Sequence, residues 1–141
     1  MASVPFHYVD LRAFAYATED EKRVAGALQT FLPDEIELER DTSEGHYGDR
    51  IVVLSARVEN ADDIRYVLSR VAEVDDLDQV LAELDDRVDD NCSFFLTFDK
   101  QSAFGGQARR GDGITLRAKV EAYPAKREKA IGNAQDALAE L

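Results

Sequence analysis

Apolar and polar residues alternate from Pro5 to Ala17. Val9, Leu11, Ala13, Ala15 and Ala17 fall on one side, and Phe6, Tyr8, Arg12, Phe14 and Tyr16 on the other. A period of two predicts a strand with one face in the core. Thr18 is placed to cap a helix, with Glu21 three residues on completing a capping box. Val24, Ala27, Leu28 and Phe31 then recur at helical spacing until Pro33 stops the helix. Two further strands, Glu35 to Asp41 and Arg50 to Glu59, are joined by a short segment carrying Gly45 and Gly48, which predicts a hairpin.

Between Ala61 and Val88 the period becomes helical, first through Ile64, Val67, Leu68 and Val71, then through Leu77, Val80, Leu81, Leu84 and Val88. A break near Glu73 to Asp75 divides this region into two helices. Alternation returns from Asn91 to Lys100, with Cys92, Phe94, Leu96 and Phe98 inward, and again from Ile114 to Tyr123, with Ile114, Leu116, Ala118, Val120 and Ala122 inward. The glycine-rich stretch between them reads as a hairpin tip presenting Arg109 and Arg110, with Asp112-Gly113 as its turn signal. Pro124 ends the last strand, and a helix from Ala125 to Leu141 closes the chain.

The order β-α-β-β-α-α-β-β-α predicts an α+β two-layer sandwich, a mainly antiparallel sheet with helices on one face, formed by a single domain over residues 1–141. Alternation assigns Arg12, Phe14, Tyr16, Ser55, Arg57, Phe95, Thr97, Thr115, Arg117 and Lys119 to the opposite face. Aromatic planes interleaved with arginines and hydroxyls suit stacking on bases and hydrogen bonding to phosphates or 2′-hydroxyls. Alternative uses of such a face are a partly covered second core, or the homodimer interface of a structural or protein-interaction subunit without direct RNA contact.

Charge sharpens this picture. The net charge is −12, yet Asp99 to Ala130 holds eight basic residues against four acidic ones. That island is +4, which leaves −16 for the rest. Its Lys100, Arg109, Arg110, Arg117, Lys119, Lys126 and Arg127, together with Arg12, are the candidate contacts for an anionic partner. Elsewhere Asp and Glu crowd the surface and Arg outnumbers Lys by 12 to 5, a composition that fits a salt-loaded cytoplasm where the Debye length falls to about 3 Å. Under such screening an acidic chain can still bind nucleic acid. Arginine, able to stack and to hydrogen-bond bidentately, suits that regime better than lysine.

Catalytic and metal chemistry find little support. His7 and His46 lack any paired spacing, and Ser43, Glu44, His46, Tyr47 and Asp49 read as a polar loop, since no GxSxG elbow follows. The DDLDQVLAELDD run carries helix-face apolar residues rather than the alternating oxygens of a calcium loop. GGQARRGDG lacks the GxxxxGK[ST] pattern of a phosphate loop. Cys92, the single cysteine, sits in an apolar strand and reads as a structural thiol. No enzyme, cofactor or metal is expected. No apolar run reaches membrane-spanning length, and the opening MASVPFHYVDLRA lacks a basic then apolar leader, so a cytoplasmic protein is expected.

The opening strand into TEDEKRVAGAL, the stretch HYGDRIVVLSARVENADDIRYVL and the stretch GDGITLRAKVEAYPAKREKAIGNA together resemble an archaeal family of exosome-subunit-like RNA-binding proteins. Members have a double-stranded-RNA-binding-like fold, similar to that of a ribosomal 5S-rRNA-binding protein. The composition suggests a haloarchaeal member. The resemblance implies a non-catalytic protein that binds structured or rRNA-like RNA, with exosome subunits as further partners.

Overall fold

The computed structural model describes residues 5–45 and 48–139. Five strands, β1 (Phe6–Ala15), β2 (Glu39–Glu44), β3 (Arg50–Val58), β4 (Ser93–Asp99) and β5 (Gly113–Val120), form one antiparallel sheet in the order β2-β3-β1-β5-β4. The helices are α1 (Glu21–Gln29), α2 (Ala61–Val71), α3 (Leu77–Ala82), α4 (Leu84–Arg87), α5 (Lys100–Phe104) and α6 (Arg127–Ala139). This is the predicted α+β sandwich, with two short helices more than the apolar periods announced.

The core follows from parity. In β1, the central strand, Val9, Leu11, Ala13 and Ala15 are buried, as are Leu54, Ala56 and Val58 of β3 and Leu116, Ala118 and Val120 of β5. Phe94, Leu96 and Phe98 complete the layer, and Phe98 meets Phe31 with ring centroids 4.5 Å apart. Val24, Leu28, Ile64, Leu68, Val80, Leu84, Ala134 and Leu138 cover them from the helices. Cys92 is buried and unpaired, as its apolar surroundings predict.

Several local expectations are corrected. Phe6 is buried rather than on the outer face, because the β1–β5 register shifts between Phe6 and Tyr8 and the bulge reverses its side. The cap of α1 is Asp20, whose carboxylate accepts from the Lys22 N–H, in place of Thr18. The second strand lies at 39–44 rather than 35–41. Ile36 and Leu38 pack against the core from an extended segment that forms no ladder, and the paired residues are the exposed, charged ones of an edge strand. The β2–β3 hairpin itself is as expected, although His46 and Tyr47 lie outside the described residues.

The stretch 100–112 is not a simple hairpin tip. Asp99 caps α5 by accepting from the Ser102 N–H, and the chain returns so that Arg110 bridges to Phe98 alongside β4. Gly111 and Gly113 allow this approach, since a Cβ on either would lie within 2.7 Å of the Cβ of Asp99 or Lys100. Likewise α3 and α4 are separate, broken at Glu83, and β5 ends at Val120 rather than Tyr123.

Candidate nucleic-acid interface

Among the described residues no helix covers the second face of the sheet. Pairing sets Arg57, Asp10, Arg117 and Phe95 side by side on β3, β1, β5 and β4, and beside them Ser55, Arg12, Thr115 and Thr97. All of these but Thr97, together with Glu39 of β2, line a hollow of about 600 Å³.

Asp10 organises the first row. Its carboxylate accepts from Arg57 Nε at 2.7 Å and Nη2 at 2.9 Å, and from Arg117 Nη2 at 3.2 Å. The bidentate pairing fixes the plane of the Arg57 guanidinium, which lies over the Tyr8 ring at 3.9 Å from its centroid. The hydrogen bonds that Arg57 donates to Asp10, opposed only partly by desolvation, raise the Arg57 pKa and keep it charged. About half of each side chain remains exposed, 49% for Arg57 and 45% for Arg117. Arg12 stands 5.5 Å from the Phe14 centroid, and Phe14 is tilted against the exposed Tyr16 at 6.4 Å. Phe95, 37% exposed, has no ring or cation partner among the described residues.

Three of the cations predicted to meet an anion are held by the protein itself away from the open face. Lys100 is buried, its Nζ donating at 2.9 Å to both the Phe14 carbonyl and Glu19 Oε1. Burial raises the Glu19 pKa, but the hydrogen bond and charge of Lys100 and the Tyr16 N–H outweigh it, so the net shift is downward. Arg110 faces the helical side, 3.5 Å from Asp76 and from Glu83. Arg127 ties α6 to α4, donating from Nε to the Val88 carbonyl at 2.9 Å and from Nη2 to the Asp85 carbonyl.

The remaining candidates are spread out. Lys119 reaches the open face, although its Nζ donates to the Asn91 carbonyl. Arg109 is exposed beyond one end of β5, where its charge helps hold Asp99 below the usual carboxylate range, after the larger effect of the Ser102 hydrogen bonds. Lys126 is exposed beyond the other end, past a strand of eight residues, roughly 25 Å long. The structure therefore brings together Arg12, Arg117 and Lys119 and separates them from Lys100, Arg109, Arg110, Lys126 and Arg127. Arg57, Asp10 and Tyr8 join the group. Alternation already sets Arg57 and Tyr8 on this side; Asp10, which it does not name, shares the sequence parity of Arg12, the signal by which it could have been found.

Among the described residues no cluster of three His, Cys, Asp or Glu could hold a metal ion, and no helix is long and apolar enough to cross a membrane.

Comparison with known proteins gives consistent matches. Residues 8–120 match the model of a family described as RNA binding. The chain is 32% identical over 136 residues to the RNA-binding protein PAB1135 of Pyrococcus abyssi, covering 89% of this chain and 88% of that one. Among solved structures it is similar to Mth689 of Methanothermobacter thermautotrophicus, with a TM-score of 0.81 and 39% identity over 94% of this chain and 98% of the other. It is also similar to AF2318 of Archaeoglobus fulgidus, with a TM-score of 0.84 and 28% identity over 94% and 99%.

Proposed function

The chain belongs to the family described as RNA binding, and we propose that it binds structured RNA, without catalysis, on the open face of its sheet. The observation that carries this reading is the row Arg57, Asp10, Arg117 and Phe95, flanked by Arg12 and hydroxyl side chains on an uncovered surface. Guanidinium and aromatic planes stack on bases, and the free donors and hydroxyls suit phosphate and 2′-hydroxyl groups. The resemblance to exosome-subunit-like proteins extends the proposal to cytoplasmic RNA processing beside exosome subunits in a salt-rich cell.

In molar salt little affinity comes from counterion release, so short-range contacts must supply it. RNA affinity measured at 0.1 M and about 1 M KCl tests this, with wild type compared with Arg57→Gln/Arg117→Gln. The double variant loses affinity at both salts; equal affinities refute the assignment of the face. The exposed Phe95 and Tyr16 also support a second reading, a homodimer across the same face. Light scattering with and without RNA separates the two, because a dimer using this face dissociates as RNA binds.

A further inference from the structure

We propose that the open face takes unpaired nucleotides, such as a loop or bulge, and discriminates against continuous duplex. This rests on the RNA-binding reading and names the part of the RNA that the site accepts.

The charge on the face is the first reason. A duplex is held chiefly through its two phosphate strands and 2′-hydroxyls, so its readers need cations free to meet phosphates. On this face Asp10 occupies the middle of the row and engages both Arg57 and Arg117. Glu39 adds a further negative charge to the lining of the hollow. An approaching phosphate strand meets two arginines that share one carboxylate, so the row offers a single net positive charge, with a carboxylate at its middle. The exposed Arg109 and Lys126, which could have lengthened a phosphate track, lie beyond opposite ends of β5.

Shape is the second. What the paired arginines still present is their flat faces. Arg57 is clamped against Tyr8 on one side and half exposed, which prepares a stack that a base can extend. Phe95 offers an unoccupied ring two strands from Asp10, next to Arg117. Four strands at about 4.8 Å spacing put this ring roughly 14 Å from Arg57, with the hollow between them. That volume of about 600 Å³ is in the range of sites for small molecules, so splayed bases can enter it. Bases inside a duplex cannot, because their planes are covered by their neighbours. Stacking is also a short-range interaction that salt leaves largely intact.

The test compares three labelled RNAs by fluorescence anisotropy in molar KCl: a stem-loop, its stem closed as a perfect duplex, and the loop sequence alone as a single strand. The proposal expects the stem-loop and the single strand to bind at least about ten-fold more tightly than the duplex, and Phe95→Ala to weaken both by roughly ten-fold. Phe95 is exposed on the sheet surface, so circular dichroism melting confirms that this variant folds. Asp10→Asn releases two arginines for phosphates, so duplex affinity rises and the gap between duplex and single strand narrows. Equal binding of duplex and single strand, or an unchanged affinity in Phe95→Ala, overturns the inference while leaving RNA binding standing. Binding of none of the three RNAs overturns the RNA-binding reading as well.

Discussion

Replacing Lys100 by methionine separates charge used inside the fold from charge offered to a ligand. In the sequence Lys100 belongs to the basic island, yet it is only 9% exposed and its Nζ makes two 2.9 Å hydrogen bonds, to the Phe14 carbonyl and to Glu19. Methionine keeps the apolar stem and deletes the charge. Hydrogen bonds to charged groups contribute roughly 1.5–3 kcal/mol each, and the Glu19 carboxylate, still partly open to water, recovers some of the loss. The expected destabilisation is roughly 2–4 kcal/mol, or a Tm lowered by roughly 6–12 °C for a chain of this size. Urea and thermal unfolding at pH 7 measure it. RNA affinity, measured well below the transition, changes little. Undiminished stability together with lost RNA affinity would refute the reasoning, since Lys100 would then be contacting RNA and not the β1–α1 connection.

The same pair makes stability depend on pH. The folded-state pKa of Glu19 lies below its unfolded value, so its contribution is present above the unfolded pKa and is lost as pH falls through the folded one. Glu19→Gln should therefore be less stable than wild type at pH 7, with the difference closing in acid, as paired denaturant titrations will show. Gly113→Ala should cost roughly 2–4 kcal/mol by thermal melting, because the residue sits at φ 118° and a Cβ would lie 2.6 Å from that of Lys100; a cost under about 1 kcal/mol contradicts the geometry. Arg127→Met, which unties the start of α6 from α4, should lower Tm and leave the RNA salt dependence unaltered. A shallower salt dependence would place Arg127 on the RNA.

Strand parity was the most legible signal. Once β1, β3, β4 and β5 are read as alternating, the inward set Leu11, Leu54, Leu96 and Leu116 and the outward set Arg12, Ser55, Thr97 and Thr115 follow together. Phe6 escaped because a bulge reverses parity without leaving a composition mark. The second strand was misplaced because Ile36 and Leu38 imitate alternation while packing from an unladdered segment, whereas the residues that pair are charged edge positions. The open face was legible in outline, but the basic island overstated its charge. A count of charges cannot say which way a long side chain turns. Lys100 and Arg110 find carboxylates, and Arg127 finds the backbone carbonyls of Val88 and Asp85. Asp10 was overlooked because an acidic residue runs against the expectation for an anion-binding surface, although its parity placed it there.

The central claim is a location, and chemical-shift mapping of the backbone amides during titration with a stem-loop RNA tests it most directly. The account predicts that the largest changes gather at Tyr8 to Phe14, Ser55 to Arg57, Phe95 to Thr97 and Thr115 to Lys119, with little change around Arg109 to Arg110 and Lys126 to Arg127. Changes concentrated at those two ends, with the sheet undisturbed, would contradict it.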